Sequence, residues 1–211
     1  MTITAIILAA GKSERMGRPK ALLDFDGVRC IDLVLSACRR SGVGDIIVVL
    51  GHRAGELAEA LDAEVRPVVN ANYEAGQTSS LKTGAEHLPG ECEGFLVFPV
   101  DFPLVSGENV SLLLDAFRNR SDKEKVFIPS LNMRRGHPVL LARELRDELL
   151  TLRDDEPARK VILGDESRIH YVNVENPGVL EDMDTEKDYR RLLALYREKC
   201  TDEKKHSPAN R

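Results

Sequence analysis

Residues 10–20 read Ala-Gly-Lys-Ser-Glu-Arg-Met-Gly-Arg-Pro-Lys and follow directly on an apolar run, putting residues with almost no side chain ahead of a group of cations. Beside Ala9, Ala10 and Gly11 a ligand can approach the backbone and accept hydrogen bonds from its N–H groups. Arg15, Arg18 and Lys20 then supply charge for phosphate oxygens, arginine through its planar fork and lysine as a point charge. Phosphate binding is the chemistry this segment points to; the alternative is an ordinary strand-to-helix turn with exposed charges. Two familiar phosphate motifs do not fit. A P-loop needs glycine where Ile6 stands, and a dinucleotide fingerprint needs glycine in place of Ser13.

A second centre follows residues 95–100, an apolar run that ends in Asp101-Phe102-Pro103. Asp101 stands at the C-terminal edge of a central strand, where open α/β sheets bind ligands. Its hard oxygens suit Mg²⁺, which commonly takes one or two carboxylates and completes its shell with phosphates and waters; a turn aspartate capping the next segment is the alternative. Residues 70–84 place Gly76 and the hydroxyls of Thr78, Ser79 and Ser80 where a strand gives way to a helix. Such a helix start can read a base edge or favour an anion, or Thr78 or Ser79 can simply cap the helix. His137, between Gly136 and Pro138, is a lone histidine ahead of a strand, a position more often structural or exposed. Asp182, Asp184 and Asp188 gather before the last amphipathic segment, where acids ordinarily cap a helix.

The elements that must position these groups are legible from periodicity. Strand-like runs at residues 3–9, 46–50, 65–69 and 95–100 are separated by segments of helical period, the pattern of a mostly parallel sheet. Further runs at 126–129, 138–141 and 169–174 widen it to about seven strands, with a short helix over 157–163, giving a three-layer α/β/α, Rossmann-like domain. Ile31, Val34, Leu35 and Cys38 share one helix face, as do Val110, Leu113, Leu114 and Phe117, and Tyr189, Leu192, Leu193 and Tyr196. Pro99 cannot donate to a ladder, so its strand bends or stops there. Residues 119–125 read as a surface loop. Residues 1–199 form a single domain, and 200–211, polar and without apolar period, form a disordered tail.

Composition narrows the partners. With 211 residues and a formal charge of -5, the chain can bury a full core but lacks the basic surface that a sequence-independent grip on nucleic acid requires. No apolar run approaches the roughly 20 residues that span a bilayer, which predicts a soluble, unprocessed, cytoplasmic protein. Cys30, Cys38, Cys92 and Cys200 lie far apart with no zinc spacing and read as free thiols.

Leu8-Ala9-Ala10-Gly11, then Ser13, Arg15-Met16-Gly17 and Lys20, resembles the signature of nucleotidyltransferases of the molybdenum cofactor cytidylyltransferase and guanylyltransferase type. Gly76-x-x-Ser79-Ser80-Leu81-x-x-Gly84, Asp101, Gly136-His137-Pro138 and Asp182-x-Asp184-Thr185 match that family's later motifs in order, so the resemblance covers nearly all of residues 3–195. It implies a fold of the nucleotide-diphospho-sugar transferase type. It also implies that Leu8, Ala9, Ala10, Gly11, Arg15 and Lys20 hold a triphosphate, that Ser80 and Gly84 help to hold the base, and that His137 touches substrate or nucleotide. Asp101 and Asp184 would be the Mg²⁺ ligands, with Arg15, Lys20 and Asp101 carrying catalysis. The implied partners are CTP, or another nucleoside triphosphate, and a molybdopterin-type cofactor destined for a molybdoenzyme. Two departures stand out: Ala10 replaces a glycine usual in the guanylyltransferases, which leans toward CTP, and Glu186 replaces a usual proline.

Overall fold

Apolar runs can become fully buried strands only if both of their faces are covered, and the side chains of β1 (Ile3–Ala9) show this most fully. The computed structural model, which describes residues 2–206, buries every residue of β1. Alternation along the strand sends Ile3, Ala5, Ile7 and Ala9 into one core cluster and Ile6 and Leu8 into another. The chain continues through β2 (Asp24–Phe25), β3 (Val28–Arg29), α1 (Cys30–Ser41), β4 (Asp45–Leu50), α2 (Ala54–Glu59), β5 (Arg66–Val69), α3 (Gln77–Glu86) and β6 (Gly94–Pro99). It then forms α4 (Gly107–Arg118), β7 (Val126–Leu131), β8 (Arg134–Arg135), β9 (Val139–Ala142), α5 (Leu145–Thr151), α6 (Arg159–Ile162), β10 (Ile169–Asn173) and α7 (Glu186–His206).

The main sheet has the order β10-β7-β9-β6-β1-β4-β5, with β8 added beside β7. β4 and β6 flank β1 in parallel, β5 is parallel to β4, and β10 is parallel to β7. β9 alone among the long strands is antiparallel to both of its neighbours. The stretch from Leu131 to Val139 is too short for the crossover that a parallel pairing would need, so the chain turns back through β8. Side chains of α1, α4 and α7 fill one core cluster and those of α3 and α5 the other, which makes the three layers.

Pro99 is the last residue of β6, and the ladder resumes one step later with the Val100 N–H donating to the Leu8 carbonyl at 3.1 Å. The ribbon β2–β3 and the short helices α2 and α5 go beyond what periodicity indicates. α7 runs through His206, so helix replaces the expected disordered tail over residues 200–206; the remainder of that expectation, 207–211, lies outside the described residues. The reason is that glutamate and lysine, which read as tail by polarity, propagate a helix well once earlier turns have nucleated it. No described helix is long and apolar enough to cross a membrane.

Candidate active site

Strands β4 and β5 lie on one side of β1 and β6 on the other, so the strand order reverses at β1 and β6, and their carboxyl ends open into a crevice. The cavity there is about 440 Å³, a size that suits a small-molecule ligand. Leu8, Ala9, Ala10, Gly11, Arg15 and Lys20 line one side, Gly76 and Ser80 another, and Asp101 and Asp184 the end beyond the sheet.

At that end Lys20 joins three separate stretches of chain. It opens a short 3-10 turn after Pro19, and its Nζ donates to Asp101 Oδ2 at 3.0 Å and to Asp184 Oδ1 at 2.8 Å. Arg15 donates to the other oxygen of Asp184 at 3.1 Å. Asp101 is there because β6 stops at Pro99, and Asp184 because the Met183 N–H donates to the Asp101 carbonyl at 3.0 Å. The helix-capping task falls to other groups. Asp188 accepts from the Thr185 N–H at 2.8 Å and its hydroxyl at 2.7 Å, while Thr185 Oγ1 accepts from the Asp188 N–H at 3.3 Å. Thr185 and Asp188 thus form a reciprocal cap and leave the Asp184 carboxylate to Lys20 and Arg15.

Burial opposes the Lys20 ammonium, but the charge of Asp101 and the hydrogen bonds to Asp184 and Asp101 outweigh it, and its pKa stands above the ordinary lysine value. The hydrogen bond from Lys20, with the charges of Lys20 and Arg15, holds Asp184 below the usual carboxylate range despite burial. Both carboxylates aim an oxygen at one small cation, so their chemistry fits a hard divalent ion. Among the described residues no group of three or more His, Cys, Asp or Glu converges as a complete cage. A metal here would take its remaining ligands from phosphate and water, as Mg²⁺ usually does.

Gly11 meets no constraint from the protein itself, for a β-carbon added there would have nothing within 4 Å. Ser80 is buried, and its Oγ accepts from Asn70 Nδ2 at 3.0 Å. Neither Thr78 nor Ser79 caps α3: Gly76 is the cap residue, Thr78 Oγ1 accepts from the Ala158 N–H, and Ser79 Oγ is held by Asn70, Asn72 and Gly76. Two residues, Gly84 and Arg18, stand elsewhere than expected. Gly84 faces the sheet, where a β-carbon would lie 2.4 Å from Ile6 Cγ2, so its role is close packing of α3 and not base contact. Arg18 turns to α7, its guanidinium 5.3 Å from the Tyr189 ring centroid and 3.9 Å from Glu186. His137 lies on an adjoining cavity.

The sequence reading missed Asn70, Tyr73 and Lys12. Asn70 is a buried amide that organises the α3 start, and its signal was an asparagine closing an apolar strand. Tyr73 lines the cavity, and Gly51 is needed beside it because a β-carbon there would fall 2.6 Å from Tyr73 Cβ. Lys12 also lines it and pairs with Glu74 at 2.6 Å, a contact between two loops that no local pattern announces.

A family model described as a MobA-like NTP transferase domain matches residues 5–169. Over 200 residues the chain is 30% identical to nicotine blue oxidoreductase of Paenarthrobacter nicotinovorans, covering 90% of this chain and 96% of that protein. It is 29% identical over 209 residues to the molybdenum cofactor cytidylyltransferase of Escherichia coli strain K12, covering 93% and 98% of the two chains. Rv0371c from Mycobacterium tuberculosis H37Rv superposes with a TM-score of 0.79 at 26% identity over 92% of this chain and 98% of its own. The same protein in complex with manganese gives a TM-score of 0.75 at 25% identity over 92% and 99%. A sheet with its crevice at β1 and β6, two carboxylates converging on Lys20, and a family match over most of its length together mean that this chain belongs to the MobA-like NTP transferase family.

Proposed function

We propose that this nucleotidyltransferase is a Mg²⁺-dependent cytidylyltransferase that joins CTP to a molybdopterin-type cofactor and releases pyrophosphate in the cytoplasm. The observation that carries the reading is the convergence of Asp101 and Asp184 on the Lys20 ammonium beneath the Gly11 loop. An oxygen of the cofactor's phosphate bonds to the α-phosphorus of CTP as the bond from that phosphorus to the β-phosphate's bridging oxygen breaks, and the electron pair leaves with pyrophosphate. The attacking phosphate is already ionised, so no general base is required. Backbone N–H groups around Gly11 hold the triphosphate, and Arg15 and Lys20 stabilise the charge that grows on the leaving group. Mg²⁺ held by Asp101 and Asp184 would screen the repulsion between the two anions and polarise the phosphate oxygens. Support for cytidine comes from Ala10, which stands where the resembled guanylyltransferases usually have glycine.

Pyrophosphate release with CTP, GTP, ATP and UTP, each with Mg²⁺ and with or without the cofactor, tests this reading. Release confined to CTP plus cofactor is expected. Activity with GTP overturns the base, and silence throughout favours another acceptor, such as a sugar phosphate, or a carrier that binds nucleotide and cofactor without chemistry. The identity shared with nicotine blue oxidoreductase favours a second reading, an oxidoreductase, which would release no pyrophosphate.

A further inference from the structure

Gly11 and Lys12 lie just beyond the last paired residue of β1, and among the described residues neither makes a backbone hydrogen bond. Before them the Ala10 carbonyl accepts from the His52 N–H at 3.1 Å, and after them the Ser13 carbonyl accepts from the Met16 N–H at 2.9 Å. Both residues line the crevice, so two N–H groups in its wall are left to a ligand. The tie that this stretch does have is a side chain, for Lys12 Nζ meets Glu74 at 2.6 Å.

Glu74 belongs to the 3-10 turn Tyr73–Ala75, which is braced from several directions. The Asn72 N–H donates to Asn70 Oδ1 at 2.9 Å, and Asn72 Nδ2 donates to Asp154 Oδ2 at 2.7 Å. Asp154 is itself held by Lys82 at 2.8 Å. Tyr73 presses on Gly51, where a β-carbon would fall 2.6 Å from Tyr73 Cβ and 2.7 Å from the Ala10 carbonyl oxygen. A fixed post therefore stands beside a loop that has no ladder of its own.

Lys12 lines the cavity while Glu74, 65% exposed, does not, so the pair lies at the rim. The hydrogen bond and charge of Glu74 raise the Lys12 pKa above the ordinary lysine value, and those of Lys12 lower that of Glu74, so both stay ionised at neutral pH. An ion pair in contact with water stabilises only weakly, which lets it open to admit a ligand and close again behind it. A cation that served phosphate alone would gain nothing from a braced acid competing for it at 2.6 Å.

We infer that Lys12 and Glu74 form a clasp that holds the nucleotide-binding loop to the Tyr73 turn and sets how long a nucleoside triphosphate stays in the crevice. The two are positioning residues, acting through the N–H groups of Gly11 and Lys12 that the clasp keeps in place. This rests on the nucleotidyl-transfer reading and adds to it the contact that governs nucleotide release. The test is a double-mutant cycle on the full chain with Lys12→Ala, Glu74→Ala and the double variant, read by stopped-flow displacement of a ribose-labelled fluorescent CTP by unlabelled CTP with Mg²⁺. Each single change should speed dissociation about two- to fivefold, the span of an exposed ion pair, and the double variant should be no faster than the singles. Added salt should narrow the gap between parent and variants because it screens the pair. In turnover KM for CTP should rise with kcat little changed, the mark of lost binding and not of lost chemistry.

Glu74→Ala with the parent's release rate overturns the clasp. In that case faster release from Lys12→Ala alone means that Lys12 serves the phosphates directly, and no change in either means a surface contact only. Effects that add in the double variant overturn it as well. The same cycle is run with labelled GTP should the parent prefer it; if neither nucleotide binds, the nucleotide reading fails and the clasp with it. If the variants release nucleotide faster as expected but pyrophosphate never forms, the clasp stands and it is the transfer activity that fails.

Discussion

A β-carbon added at Gly11 meets no atom within 4 Å, whereas one at Gly84 lies 2.4 Å from Ile6 Cγ2 and 3.0 Å from Val49 Cγ2. The two glycines belong to one resemblance but have different surroundings, Gly11 opening on the cavity and Gly84 pressed against the core. Gly11→Ala should therefore melt like the parent protein while binding nucleotide more weakly, which thermal unfolding beside a CTP titration would show. Gly84→Ala should cost about 1–3 kcal/mol of stability through overpacking between α3 and the sheet, visible as a lower denaturant midpoint. Lys20→Ala removes the one ammonium shared by Asp101 and Asp184. If it behaves like a lost electrostatic donor in other enzymes, about 3–4 kcal/mol of transition-state stabilisation goes, and turnover falls hundreds of times. A drop of less than about threefold would remove Lys20 from the mechanism.

Helix α7 acts on the site through its first turn. The reciprocal cap of Thr185 and Asp188 fixes where the helix begins, and the Met183 N–H on the Asp101 carbonyl fixes where the preceding loop lies. Glu186, where the resembled family usually has proline, sits at the first helical position, and the cap sets that geometry without it. Farther along, Phe25 of the ribbon packs edge-on against Tyr189 at 5.5 Å and Tyr196 at 5.8 Å, which binds α7 to the β2–β3 ribbon. Asp188→Ala should cost about 1 kcal/mol of stability, as lost caps do. It should also raise the Mg²⁺ concentration needed for half-maximal activity, because Asp184 loses its fixed backbone. An unchanged metal requirement would confine Asp188 to a purely stabilising role.

Across the whole molecule, the active crevice lies where the strand order reverses at β1 and β6, while the edge strand β10 carries a separate polar contact. His170 on β10 meets Glu124 at 2.6 Å, and its ring stacks 5.6 Å from Phe127. The hydrogen bond from His170, with those from the Ser121 N–H and hydroxyl, pulls the Glu124 pKa down to about 2 against burial. A carboxyl whose folded pKa is depressed adds stability that is fully present above its unfolded pKa, about 4.5, and is lost as pH falls toward the folded value. Glu124→Gln should thus melt lower than the parent at neutral pH, and the gap should close between about pH 4.5 and 2. A gap independent of pH would mean that the contact stabilises through packing alone.

The seven main strands and the three apolar helix faces were legible because each follows a local period, and the loop from Leu8 to Lys20 was legible because small residues followed by cations have few other uses. Asp101 could be read from its place at the end of an apolar run, and Asp184 only through resemblance, since acids before a helix are ordinary caps. Tertiary structure alone decided which acid caps and which faces Lys20, that Gly84 packs while Gly11 stays open, and that Arg18 turns away. It alone set β9 antiparallel, carried helix past Cys200, and brought Lys12 to Glu74. The reason is distance along the chain: period and propensity act over a few neighbouring residues, whereas Lys20, Asp101 and Asp184 meet only after loops have closed between strands that pair far out of sequence.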